Sequence, residues 1–185
     1  TSEVSYLWEK KTNKTDLSRY DLKKIILEIN NVSIKNSYNL YKNTFYYDSL
    51  ITHIALNILL SNKSTYYHNY YMFHDKQVDK WHMMPWDMDK TLHKDLLNLH
   101  YSRSTWSEGL NSNLPDNPIP EFIFTNEQMK KDLYDKINQI TENNFNKNFI
   151  VPIIDSLSLI LQDYIELDKT DNMNTLKEWE QEKSN

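Results

Sequence analysis

Two runs of alternating aromatic and aliphatic residues, Asn69-Tyr70-Tyr71-Met72-Phe73 and Lys80-Trp81-His82-Met83-Met84, flank the polar segment Asp75-Lys76-Gln77-Val78-Asp79. Period-two patterning on both sides of a short polar tip predicts an antiparallel β-hairpin. Such pairing brings the start of the first strand beside the end of the second. Asn69 then shares one end of the ribbon with Pro85-Trp86-Asp87-Met88-Asp89. An amide oxygen and two carboxylates gathered at that end suit a hard, oxygen-loving cation such as Mg²⁺.

The surrounding pattern is helical. Thr15-Asp16-Leu17-Ser18 carries capping chemistry, and Leu22, Ile25, Ile26 and Ile29 recur at helical spacing before Asn30 and Asn31 as terminators. Residues 36 to 47 read as a polar, aromatic link that ends at Asp48, a candidate cap. Ser49 to Leu60 is apolar on nearly every side, the mark of a buried spine, and it aims Ser61 to Asn69 at the hairpin as a loop. From Asp89 to Pro120, with Gly109, Pro115, Pro118 and Pro120, a long irregular loop is expected. Asn126 to Asn144 carries an apolar stripe of Met129, Leu133, Ile137 and Ile140. Pro152 is expected in the first turn of a following helix with Ile153, Leu157, Ile160, Leu161, Tyr164 and Ile165 on its apolar side. A short helix from Met173 to Glu182 would dock Leu176 and Trp179. With no internal repeat, residues 1–185 read as one α+β domain, mainly helical, around a central hairpin.

Composition removes several classes. Gly109 is the only glycine in 185 residues, so Rossmann and Walker loops, which need several glycines for close backbone approach to phosphates, are excluded. The chain has no cysteine, hence no disulfide, thiolate metal site or cysteine nucleophile. Its net charge of -5 without a basic block gives no nucleic-acid footprint. No run reaches the roughly 18 apolar residues of a membrane span, and no signal peptide is visible. Thirteen Tyr and five Trp supply large buried areas despite the polar average.

Asn69-Tyr70-Tyr71, the Trp81 of the return strand and Pro85-Trp86-Asp87-Met88-Asp89 resemble the signature of CotH-type proteins, which are spore-coat and related atypical protein kinases. The resemblance is strongest over residues 45 to 92 and continues weakly to about residue 168. It implies a kinase-like C-lobe and metal-assisted phosphoryl transfer from ATP, with Mg²⁺ or Mn²⁺, to Ser or Thr of a partner protein. Asp87 would bind the metal that bridges the phosphates, with Asn69 and Asp89 assisting. The order helix, loop, hairpin, Asp is shared with kinases, where a catalytic-loop Asn and a downstream Asp hold the metals. A spore coat or cell surface is implied as the location.

The chain also departs from that pattern. Kinase catalytic loops place the base Asp five residues before the metal-binding Asn; counting back from Asn69 reaches Ser64, which is no carboxylate base. Thr91-Leu92-His93 stands where the family has a Gly, and only 44 residues precede the matching region, so a fragment lacking most of the nucleotide-covering lobe is expected. Three readings remain open: a kinase region in which Ser64 or a group outside the chain replaces the base; a catalytically inactive pseudokinase or structural module that binds a coat or surface protein; and a hydrolase using metal-bound water at Asp87.

Each residue also has a plainer reading. Asp87 and Asp89 would point apart if the strand continued, so they can share a metal only at a turn. Asn69 can simply satisfy a backbone group there. Trp81 and Trp86 are read as core packing rather than as a base-stacking platform, and Asp48 as a helix cap rather than a displaced base. His68, His74 and His82 could meet on the hairpin, with His93 and His100 nearby in sequence, but hydrogen-bonded or solvent-facing histidines are favoured over a zinc site. Sequons at Asn13, Asn31 and Asn62 match what an Asn- and Ser-rich chain contains by chance.

Overall fold

The apolar stripe of Leu22, Ile25 and Ile29 forms helix α1, Tyr20–Asn31, in a computed structural model that describes residues 9–15, 18–62, 69–88, 91 and 118–165. Its start differs from the expected Thr15–Ser18 cap. Arg19 is the N-cap and no side chain caps the helix; Asp21, inside the first turn, accepts the Leu22 N–H at 2.9 Å. Asn31 closes the helix as expected, its amide donating to the Leu27 carbonyl at 2.8 Å.

Residues 36 to 47 are not a link. They form most of α2, Ile34–Thr44, followed by the short passage through Phe45 and Tyr46 into the next helix. The inward stripe of α2 is Ser37 and Tyr41, continued by Phe45, all fully buried. A stripe built from a serine and a tyrosine hides the periodicity that aliphatic residues would advertise. The Tyr41 hydroxyl is satisfied in the core by the Ile119 carbonyl at 3.1 Å.

The apolar spine is α3, Tyr47–Leu59, in which Leu50, Ile51, Ile54 and Ala55 are buried. Asp48 is not its cap: Tyr46 takes that position, and Asp48 sits in the first turn, paired with Lys136 at 2.8 Å. A carboxylate there also favours the positive end of the helix dipole.

The expected antiparallel hairpin is present. Strands β1, Tyr70–Asp75, and β2, Lys80–Pro85, pair antiparallel from Tyr70↔Pro85 to Asp75↔Lys80. Without glycine, its four-residue tip uses Asp79 in the left-handed region (φ 53°), and the Asp75 carboxylate accepts the Gln77 N–H at 3.0 Å. Aspartate tolerates that region better than most residues. The inner face puts Trp81 and Met83 into the core against α3, and the Tyr46 N–H donates to the Trp81 carbonyl at 3.0 Å. The outer face carries Tyr71, Phe73, His82 and Met84.

Part of the loop expected to end at Pro120 is helical. Helix α4, Pro118–Thr125, has prolines at its first and third positions, where their missing N–H groups leave no helical bond unmade. Ile119 and Ile123 of α4 are buried beside α5, Glu127–Asn143, whose stripe of Met129, Leu133, Ile137 and Ile140 faces the core as anticipated.

Helix α6, Lys147–Ile165, begins five residues before Pro152 rather than at it. Asn146 starts the helix earlier by accepting the Phe149 N–H on its side chain at 3.2 Å. The apolar side of α6 does not join the core: Ile160 and Tyr164 are each 65% exposed. The expected helix at 173–182 and the loop around Gly109 lie outside the described residues. Among the described residues no helix is long and apolar enough to cross a membrane.

Candidate active site

The hairpin register alone sets Asn69 opposite Trp86, one step before Asp87. Two hydrogen bonds close this end: the Trp86 N–H reaches the Asn69 carbonyl at 3.4 Å, and Asn69 Nδ2 donates to the Asp87 carbonyl at 3.2 Å. Asn69 is only 5% exposed. The plainer role for Asn69, holding backbone in the turn, is therefore realised, and the bond also fixes the orientation of its amide.

Asp87 itself leaves the strand. Its φ of 55° is left-handed and its side chain is exposed. The alternation of β2 thus stops before Asp87, which removes the objection that a continuing strand would point Asp87 and Asp89 apart. Asp89 and Ser64 both lie outside the described residues. Thr91 Oγ1 donates to the Met88 carbonyl at 3.1 Å, so the turn is held from its downstream side as well.

Beneath the turn runs a polar network that the sequence reading missed. Helix α3 ends in a Schellman arrangement: the Asn62 N–H donates to the Asn57 carbonyl at 3.0 Å, the Ser61 N–H to the Ile58 carbonyl at 3.1 Å, and Ser61 is left-handed (φ 50°). This geometry turns Asn62 inward, where it is fully buried. Its Nδ2 donates to Asn57 Oδ1 at 2.9 Å and to Met88 Sδ at 3.1 Å. Asn57 in turn donates to the His53 carbonyl at 2.8 Å and lies 3.2 Å from His53 Nε2. The available signal was His53 and Asn57, four residues apart on the buried stripe of a mainly apolar helix; two polar residues on one such stripe must satisfy each other. Because glycine adopts the left-handed region freely, Ser61→Gly should raise stability by about 1 kcal/mol in a denaturant titration.

Burial depresses the His53 imidazole to a pKa of about 4. The folded pKa lies below the unfolded value of about 6.5, so the unfolded chain takes up a proton that the folded one refuses. Stability is therefore whole above pH 6.5 and is lost as pH falls toward 4. The expected loss is about 2 kcal/mol by pH 5, and urea titrations of His53→Gln should show a correspondingly flatter dependence across that interval.

The histidines of the hairpin separate. His74 lies on the inner face, stacked on Trp81 with ring centroids 4.6 Å apart, its two nitrogens 2.9 Å from Asp21 and 2.8 Å from Asp79. His82 lies on the outer face against Tyr46, with centroids 3.8 Å apart. His74 is thus a hydrogen-bonded histidine tying the hairpin tip to α1. Trp81 is core, as read. Trp86 is not: it is 57% exposed, in contact with Tyr71 at 5.1 Å between ring centroids, immediately beside Asp87.

The groups at this end, a carboxylate and an amide, belong to the class of hard oxygen donors that divalent cations such as Mg²⁺ take. Mg²⁺ needs only one or two protein carboxylates when substrate phosphates and waters complete its shell. Among the described residues no group of three His, Asp, Glu or Cys forms a self-sufficient metal site. Curated proteins compared with the chain include no significant match. Its sequence fits the pattern of the CotH kinase protein family over residues 1–185, the whole length given, and the chain belongs to that family.

Proposed function

We propose that this chain carries the metal-phosphate side of an atypical kinase site and takes part in phosphoryl transfer from ATP to a Ser or Thr hydroxyl of a partner protein. The observation that supports this best is the left-handed Asp87, exposed just past the end of the hairpin, its carbonyl gripped by the buried Asn69 that immediately precedes β1. In this reading Asp87 and Asp89 would hold Mg²⁺ or Mn²⁺ with help from Asn69. When bound, the metal neutralises charge on the phosphates. The chain's own work is positioning: Asn69 fixes the turn, and the turn presents Asp87 to solvent, where a nucleotide can reach it. Most of the catalytic effect in phosphoryl transfer comes from such positioning and electrostatics.

Ser64 supplies a hydroxyl where a base carboxylate is expected. It would orient the incoming nucleophile but not accept its proton. A second reading, a pseudokinase that binds a coat or surface protein, is favoured by that serine and by the exposed Phe73 and Trp86 on the hairpin.

Calorimetry of ATP with Mg²⁺ or Mn²⁺ separates the two. Metal-dependent ATP binding, followed by transfer that Ser64→Asp accelerates, is the expected result. Absence of nucleotide binding by the intact chain would leave the partner-binding reading.

A further inference from the structure

We infer that Asn62 is a positioning residue for the Asp87 turn, acting from the end of α3 through the Met88 side chain. This rests on the metal-phosphate reading of that turn. Residues 86 to 88 are held from three directions. Asn69, just before β1, takes the Asp87 carbonyl; Thr91 takes the Met88 carbonyl; and Asn62 takes the Met88 sulfur. Two buried asparagines, one just past α3 and one just before β1, thus hold consecutive residues of the turn, Asn69 at Asp87 and Asn62 at Met88.

Asn62 can serve as a fixed point because its own position is over-determined. Its backbone is set by the Schellman turn, and its amide is anchored on Asn57, which the buried His53 main chain holds in place. Both Nδ2 protons have an acceptor, one on Asn57 and one on Met88, so rotation of the amide would break both bonds. A fully buried amide with two such acceptors transmits the position of α3 to the turn with little slack. The relay meets the turn at the Met88 side chain. Its loss should loosen Asp87 without removing any donor to the metal.

The test uses the whole chain with Mn²⁺ and ATP, and three variants: Asn62→Ala, Met88→Leu and the double variant. Met88→Leu keeps the side-chain volume and removes only the sulfur acceptor, so it remains informative where Asn62→Ala is poorly folded. Thermal melts identify folded variants. Calorimetry reads Mn²⁺-ATP affinity, and backbone amide chemical shifts read the turn directly. The expected result is a loss of affinity of about tenfold in Asn62→Ala, since small displacements of a positioned group are costly. A smaller loss is expected in Met88→Leu, with no further loss on combining the two. Amide shifts should change at residues 86 to 88 while those of Tyr71 to Phe73 hold. That non-additivity is what a general packing role would not produce.

Folded variants that bind Mn²⁺-ATP as the parent does, or single losses that simply multiply in the double variant, would overturn the inference while leaving the proposed function standing. A parent chain that binds no Mn²⁺-ATP would overturn the proposed function, and with it any positioning role for Asn62 at such a site.

Discussion

Asp87→Asn should reduce Mn²⁺-ATP affinity about a hundredfold or more, since loss of mere outer partners of a metal ligand already costs 10 to 100-fold. The choice of asparagine follows from the backbone. Asp87 has a φ of 55°, a region that Asp and Asn accept and that alanine enters at a cost of about 1 kcal/mol. Asp87→Ala would therefore mix two effects, a lost carboxylate and a strained turn. Asp87→Asn removes the charge and leaves the turn intact, so its melting temperature should stay within about 2 °C of the parent. Calorimetry and a thermal melt on the same samples decide the matter. An Asp87→Asn chain that keeps parental affinity would remove Asp87 from the metal site.

The second large effect concerns the fold rather than the site. Asn126 is 7% exposed, and its side chain joins α5 to α2. Its Oδ1 caps α5, accepting the Gln128 N–H at 3.1 Å and the Met129 N–H at 3.2 Å. Its Nδ2 donates to the Ile34 carbonyl at 2.7 Å and to Ser37 Oγ at 3.2 Å, in α2. Removing a cap costs about 1 kcal/mol, and stripping partners from buried groups costs about 1 to 3 kcal/mol more. Asn126→Ala should thus lose about 3 kcal/mol in total, or roughly 6 to 12 °C in melting temperature for a domain of this size. Asn126→Asp keeps the cap acceptor and loses the donor, so it should fall between the two. Were Asn126→Ala to melt with the parent, the link between α2 and α5 would have to lie elsewhere.

Much of this architecture is legible in the sequence. The hairpin and the meeting of Asn69 with Asp87 follow from period-two alternation around a polar tip. The spine α3 and the stripe of α5 follow from aliphatic residues at helical spacing. Helix α2 was not legible, because Ser37 and Tyr41 form its buried stripe and neither reads as apolar. Helix α4 was obscured by Pro118 and Pro120, which mark a loop in most contexts and a first turn in this one. Pro152 misled in the opposite sense: proline suggests a helix start, but Asn146 had already begun α6.

At the candidate site the division is similar. Trp81 and Trp86 sit on adjoining stretches of the same strand pattern, and both read as core. A two-stranded ribbon has one face against the helices and one without such cover, and only packing against α3 chose which tryptophan was buried. The asparagines make the same point. Asn57, Asn62, Asn69 and Asn126 are all buried, while Asn30 and Asn31, the same side chain, lie in solvent at the end of α1. Periodicity is a local property of the chain, so the sequence by itself determined the hairpin, the apolar helices and the end of the ribbon where Asp87 stands. Whether an amide is buried depends on which distant carbonyl or side chain meets it. Tertiary packing alone therefore decided that α3 would reach the Asp87 turn through His53, Asn57 and Asn62.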